Sequence, residues 1–282
     1  MVDGLLNKKI AFIIQARMQS TRLPGKILMP LPFGGTTPLL GHIVESIKKS
    51  KSNHNITVAT SLNVENDVLV SFCENQSIDC FRGSEDDVLS RFTAILEGKN
   101  YDLVVRLTAD NPFVDSELLD TIILKHIESG ADYTATEDLP LGMNFEIVSA
   151  SVLQSLSSHA LTNQEREHVT LFVVNSGLYK VNFIKPIEKE TYKALRLTVD
   201  YPSDYLVASA LFTVHLLSGK SLGLTLIDYC LEKHPWLFEG NQNNFQKGNY
   251  ATLEEELEHV KPILEQYEFK KIVSLLASTV AK

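Results

Sequence analysis

The chain has 282 residues, 44% of them hydrophobic, and a formal net charge of −9, enough apolar material for one large α/β domain or one domain with an appendage. The acidic balance argues against a partner such as duplex DNA or RNA, which calls for a broad basic surface, but leaves room for a nucleotide held by a few local cations. Cys73, Cys80 and Cys230 form neither a metal-ligand spacing nor a disulfide framework, and no run reaches the roughly 18–20 apolar residues of a membrane span, so a cytoplasmic protein is expected.

In chain order, "KIAFIIQA" reads as a strand and "TPLLGHIVESIKKS" as an amphipathic helix with apolar residues at helical spacing. "NITVATS" is a second strand, followed by the helical "VENDVLVSFCENQ". Then come the strand "IDCFRG", the helix "SEDDVLSRFTAILEG" with Ser84 as its N-cap, and the strand "YDLVVRLTAD". "VDSELLDTIILKHIESG" is a helix with Ser116 and Glu117 in its first turn and Gly130 just past its end. Short apolar strands separated by helices predict a parallel sheet covered on both faces, with ligands at the carboxyl ends of its strands. The loop after the first strand, "RGSEDD" and "TADNP" all follow strand ends and should line one edge.

From about 131 to 195 the rhythm changes. "ADYTATE", "MNFEIVS" and "LYKVNFIKP" read as strands, interleaved with the helical "SASVLQSLSS" and "NQEREHVTLFVVNS". This stretch reads as an insertion that caps a site or builds a dimer contact. "ALRLTVDYPSDYLVASALFTVH" restores the strand-then-helix pattern. Two further helices, "TLEEELEHVKPILEQY" and "FKKIVSLLAS", follow the polar loop "EGNQNNFQKGNY". The division this suggests is a domain over 1–220 and a helical extension over 221–282.

The loop "QARMQSTRLPGK" places Arg17, Arg22 and Lys26 directly behind a buried strand. Three cations so close repel one another unless anions neutralise them. Backbone amides, the hydroxyls of Ser20 and Thr21 and guanidinium forks, set by the Pro24-Gly25 turn, are the means by which a loop cradles a di- or triphosphate. Neither a Walker loop nor a dinucleotide fingerprint is present. Asp110 in "TADNP" and Asp200 in "TVDYP" form a second constellation, each after an apolar run, each with a Thr two residues before and a Pro two residues after. One such Asp is commonly a cap; two in matching contexts point to carboxylates converging on one divalent cation. Mg2+ suits a site of one or two carboxylates whose shell is completed by phosphate and water.

In the middle segment, Asn144 and Glu146 could bond sugar hydroxyls, and Arg166 and His168 could meet a substrate carboxylate or phosphate, a partner subunit, or only solvent. Asp86 and Asp87 read as helix N-terminal residues. Arg106 is open between a base pocket and a pair with Asp102.

The segments "IIQARMQSTRLPGKIL", "RGSEDDVLSRF", "VRLTADNPFVD", "EREHVT" and "LRLTVDYPSDY" resemble the spore coat polysaccharide biosynthesis protein F family, which is grouped with acylneuraminate and 3-deoxy-manno-octulosonate cytidylyltransferases. The likeness covers roughly residues 8–215 and leaves out the tail. It implies a three-layer α/β sandwich with a mostly parallel sheet, of the nucleotide-diphospho-sugar transferase type. It also implies that Arg17, Ser20, Arg22 and Lys26 hold the phosphates of CTP, that Arg82, Gly83 and Ser84 line the cytosine and ribose pocket, and that Asp110 and Asp200 bind Mg2+. Arg17, Lys26, Asp110 and Asp200 are then the catalytic set, Asn144, Glu146, Arg166 and His168 the substrate set, and the protein a homodimer. Gln19 departs from the family, which often has glycine there. The activity implied is transfer of CMP from CTP to a sugar acid with release of pyrophosphate. The alternatives are a glycosyltransferase of the same fold, which would more naturally carry a "DxD" motif, and a non-catalytic nucleotide-binding partner.

Overall fold

The first strand sets the layering. In the computed structural model, which describes residues 5, 7–52, 54–244, 246, 252–266 and 268–280, β1 (Ile10–Gln15) sends Ile10, Phe12 and Ile14 into one core and Ala11 and Ile13 into the other. Alternate residues of a strand face opposite sides, so an apolar run without polar interruptions demands cover on both. Helices Leu39–Lys48, Asp67–Asn75, Ser116–Ser129, Pro202–Ser218 and Leu224–Lys233 contribute to the first core. Helices Val88–Leu96, Ala150–Ser155 and Leu171–Asn175 contribute to the second. The result is the expected three-layer sandwich.

The sheet has seven strands: β1, β2 (His54–Ser61), β3 (Asp79–Gly83), β4 (Leu103–Thr108), β5 (Tyr133–Thr136), β6 (Glu146–Ser149) and β7 (Val181–Ile184), in the order β3-β2-β1-β4-β6-β5-β7. All pairings are parallel except those of β6, which runs antiparallel to β4 and β5. Gln15 lies level with Ala59 and Thr108, and Ser61 with Gly83. That register brings the loops after β1, β3 and β4 to one edge.

Four expectations shift. The 131–195 segment is not set apart from the sheet, because β5, β6 and β7 extend it. The strand expected around 195–200 is reduced to an isolated bridge, Leu141 to Arg196: its backbone is satisfied by a loop, with Leu197 N–H donating to Leu141 O at 2.7 Å and Leu141 N–H to Leu195 O at 2.9 Å. The helix expected over 163–176 breaks into Asn163–Glu167 and Leu171–Asn175, because Val169 adopts φ 56°, a conformation that costs a β-branched residue on the order of 1–3 kcal/mol. Helix Val88–Leu96 is capped by Asp87, which accepts from Ser90 N–H, instead of by Ser84.

Two compact units are present, 1–243 and 244–282. Leu224, Leu226, Ile227 and Cys230 are buried in the first unit's core, so the break lies after 243 and not after 220. The second unit carries helices Leu253–Gln266 and Lys270–Val280, which pack on each other. Among the described residues no helix is long and apolar enough to cross a membrane.

One buried titratable group gives the fold an acid limit. His126, 2% exposed on helix Ser116–Ser129, shares a 2.8 Å hydrogen bond with the Thr134 hydroxyl of β5. Burial pushes its pKa from 6.5 down to about 4, although the Asp132 charge pulls the other way. Below pH 6.5 the unfolded chain therefore binds the extra proton and the folded one does not, so stability is lost as pH falls, by up to about 3 kcal/mol at pH 4. Chemical denaturation at pH 7 and pH 4.5 should reveal this loss, and His126→Gln should flatten it.

Candidate active site

The arginine-bearing loop is closed on itself before it reaches the site. Gly25 N–H donates to Met18 O at 3.1 Å and Leu23 N–H to the Ser20 hydroxyl at 3.3 Å. Gly25 has φ 73°, a left-handed turn for which glycine carries no steric cost. The 3-10 turn Lys26–Leu28 follows and points Lys26 inward, its side chain 9% exposed. Its ammonium donates to Asp110 Oδ2 at 2.9 Å and to Asp200 Oδ1 at 2.7 Å. Arg22 reaches the same Asp200 oxygen at 3.2 Å, its guanidinium 4.7 Å from the Tyr201 ring centroid.

Both aspartates are held by their own segments. Asp110 follows β4, and its Oδ1 accepts from the Thr108 hydroxyl at 2.7 Å, which in turn accepts from Asn111 Nδ2 at 2.8 Å. Val199 N–H donates to Asp110 O at 2.9 Å and stitches the two aspartate segments together. Asp200 Oδ2 accepts from Arg196 Nη2 at 3.1 Å. Arg196 also grips Asp204, 1% exposed, through Nε at 2.9 Å and Nη2 at 3.1 Å. Asp204 accepts further from the N–H groups of Asp200 and Tyr201 and from Asn241 Nδ2, each at 2.9 Å. Burial works to raise the Asp200 pKa, but Lys26, Arg22 and Arg196 outweigh it and hold the group below the usual carboxylate range.

The remaining candidates divide. Arg17, its side chain 66% exposed, turns away from the aspartates to Glu85 at 3.4 Å. Arg82 is committed to the carbonyls of Ser61, Leu62 and Asn63 and to Asp67 at 2.7 Å. Gly83 is needed for packing, since a Cβ there would lie 2.7 Å from Arg91 Cγ, and the Ser84 hydroxyl accepts from Asp87 N–H. The three therefore do architectural work at the β3 exit. Gln19, where glycine was the family habit, is not among the described non-glycine residues with positive φ; its side chain donates to Glu65 at 3.0 Å.

Asn144 and Glu146 line a cavity of about 220 Å3 together with Arg106, Thr108, Asn111 and Thr136. Glu146 is paired with Arg106 at 2.7 Å and accepts from Tyr133 at 2.8 Å and Thr170 at 3.1 Å. Arg106 also donates to Gln15 at 3.1 Å, while Asp102 accepts from Lys8 at 3.0 Å and from Lys9 N–H at 2.8 Å, so the pair of Arg106 with Asp102 does not form. Arg106 Nε and Asn111 Oδ1 are buried without a hydrogen-bond partner. Arg166 pairs with Asp87 at 2.8 Å instead of facing this cavity, and His168 is half-buried beside Val169. A larger hollow of about 740 Å3 opens between helices Leu39–Lys48 and Asp67–Asn75, but it holds none of the candidate residues.

Arg196, Asp204, Asn241, Thr108 and Asn111 escaped the sequence analysis. For the first two a signal existed: Arg196, Asp200 and Asp204 recur every four residues around the Pro202 helix start. Among the described residues no three His, Cys, Asp or Glu side chains gather into a metal cage. Two carboxylates meeting at one ammonium nevertheless suit a hard divalent ion that draws its other ligands from phosphate and water, with the Lys26 ammonium as stand-in.

A family profile described as "Cytidylyltransferase" matches residues 11–233. The spore coat polysaccharide biosynthesis protein SpsF of Bacillus subtilis is 44% identical over 209 residues, 72% of this chain and 86% of that protein. A solved cytidylyltransferase from Leptospira borgpetersenii aligns with a TM-score of 0.72 at 29% identity, over 86% of this chain and all of that one. A CMP:2-keto-3-deoxy-manno-octonic acid synthetase complexed with CTP shares the fold, with a TM-score of 0.51 at 16% identity over 75% of this chain and 98% of that one.

The Arg196 clamp sets a stability prediction. Arg196→Met strands the buried Asp204 charge and should cost about 3 kcal/mol, the low end for breaking a buried pair, because three other donors to Asp204 remain. Equilibrium denaturation at pH 7 measures it; a loss below about 1 kcal/mol would refute the clamp.

Proposed function

The chain belongs to the cytidylyltransferase family, and on that premise we propose that it transfers CMP from CTP to an oxygen of a sugar acid in the making of a surface polysaccharide or glycan. The acceptor oxygen bonds to the α-phosphorus, the bond to the bridging oxygen of the β-phosphate breaks, and its electron pair leaves with pyrophosphate. One observation carries this reading: Asp110 and Asp200, 90 positions apart in sequence, meet at Lys26 beside Arg22 on the carboxyl edge of the sheet.

Arg22 and Lys26 would hold the triphosphate and stabilise charge as pyrophosphate departs, with the exposed Arg17 free to leave Glu85 for an outer phosphate. Asp110 and Asp200 would hold Mg2+, which when bound neutralises phosphate charge and favours the deprotonated acceptor. Thr108, pinned by Asn111, fixes which way the Asp110 carboxylate faces. The acceptor would occupy the 220 Å3 cavity next to Asp110. There Arg106 is neutralised by Glu146, and the other polar side chains of the lining, Thr108, Asn111, Thr136 and Asn144, are neutral, so the cavity suits hydroxyls.

Pyrophosphate release, measured across four nucleoside triphosphates and a panel of sugar acids, tests the proposal: release with CTP and one acid class is expected. No release with any pair, but nucleotide release from a finished nucleotide sugar, would favour the glycosyltransferase alternative. Asp110→Asn should lower kcat about 10²–10³-fold with the fold intact, the scale of losing one element of charge stabilisation. Asn111→Leu, which releases Thr108 and with it the Asp110 carboxylate, should lower kcat about tenfold, the worth of one buried hydrogen bond.

A further inference from the structure

Lys26 stands where a metal would have to stand. An ammonium 2.7 Å from Asp200 Oδ1 and 2.9 Å from Asp110 Oδ2 fills the space between two oxygens that a Mg2+ or Mn2+ ion would approach to about 2.0–2.2 Å. The two cannot share it. From this we infer that Lys26 is an internal counter-ion that makes divalent-metal binding depend on the nucleotide, an inference that rests on the proposed use of Asp110 and Asp200.

The charges explain the dependence. Arg22, Lys26 and Arg196 face Asp110, Asp200 and Asp204 in one connected set of ion pairs, three of each sign. At rest the cluster is neutral. A divalent ion arriving alone must expel the Lys26 ammonium from both carboxylates and leave it among two arginines. Asp204 offers no refuge, since it is 1% exposed and already accepts from Arg196, Asn241 and two backbone N–H groups. A triphosphate arriving alone sets its charge against Asp110 and Asp200. When both arrive, the phosphates take the Lys26 ammonium while the carboxylates take the metal, so each charge of the cluster keeps a partner of opposite sign. Coupling of this kind is reciprocal: each ligand tightens the other by the same factor.

The lysine stem permits the exchange. Four carbons carry the ammonium from a short 3-10 turn, and the preceding loop is closed by its own hydrogen bonds. The side chain can therefore swing toward Arg22 without the backbone moving.

Mn2+ binding followed by electron paramagnetic resonance tests this without turnover. Wild type, Lys26→Met, Lys26→Arg and Asp110→Asn are titrated with Mn2+ alone and with α,β-methylene-CTP, a non-hydrolysable analogue. Without nucleotide, Lys26→Met should bind Mn2+ at least about tenfold more tightly than wild type, while Lys26→Arg, which keeps the cation, should stay as weak as wild type. The tightening of Mn2+ by the analogue should shrink in Lys26→Met by the same factor. Equal nucleotide-free affinities in wild type and a folded Lys26→Met would overturn the inference while leaving the active-site assignment standing. Mn2+ binding that ignores Asp110→Asn in every state would overturn both.

Discussion

The site depends on one contact, the Lys26 ammonium held between two carboxylates that belong to distant parts of the chain. For it to form, β4 must end at the sheet edge, the 195–201 segment must lie against that end, and the first loop must fold back over both. Val199 N–H on Asp110 O fixes the second condition, and the closed ring from Met18 to Gly25 fixes the third. Arg196 supplies rigidity from beneath. By binding Asp200 and Asp204 at once, it ties the Asp200 carboxylate to the start of helix Pro202–Ser218. Half-buried charges cost desolvation energy, and here the cost is offset because every carboxylate in the set has more than one donor.

Magnitudes decide which cations of the opening loop are exchangeable. The Arg17–Glu85 contact is long, at 3.4 Å, and its arginine is mostly exposed; pairs of that kind contribute between nothing and about 1 kcal/mol. Lys26 is buried, with two short charge-assisted hydrogen bonds. Along one loop, therefore, sit a cation that any passing anion can recruit and a cation that moves only if its partners are compensated. The self-closed ring between them keeps the spacing constant.

The sheet's first half was legible because its signals are local. Apolar runs of strand length, helical spacing and terminal glycines in "IAFII", "LLGHIVESIK" and "SELLDTIILKHIESG" each point one way, and parallel pairing then follows. The misses were tertiary. "LRLTV" has strand composition but finds its hydrogen bonds in the 139–141 loop, and no local pattern reveals that. Val169 breaks a helix with a residue rarely found at positive φ, so only the surrounding packing can enforce it. The site was legible to the level of residue type: three cations after β1 and two matched aspartates. Their partners were not. Arg82 reads, by resemblance, as part of a cytosine and ribose pocket, and nothing local to it foretells that Asp67 and three carbonyls hold its guanidinium.

Charge is distributed unevenly across the edge, and this bears on how an acidic acceptor would lie. In the cavity beside β4 the one guanidinium, Arg106, is cancelled by Glu146, and the other polar side chains of the lining, Thr108, Asn111, Thr136 and Asn144, are neutral. Arg166, which could meet a substrate carboxylate or phosphate, a partner subunit or only solvent, is paired with Asp87 at the helix cap. Thus the cavity offers hydrogen bonds without net charge, and the cations with carboxylates to trade lie on the other side of Thr108, at Arg22 and Lys26. On the proposed reaction, a sugar acid entering with its hydroxyls in the cavity leaves its acid end toward Asp110 and the nucleotide's phosphates. Thr108 and Asn111 join the two halves, because both line the cavity and the hydrogen bonds that orient Asp110 run through them. Seating the acceptor and aligning the carboxylate are then one physical event.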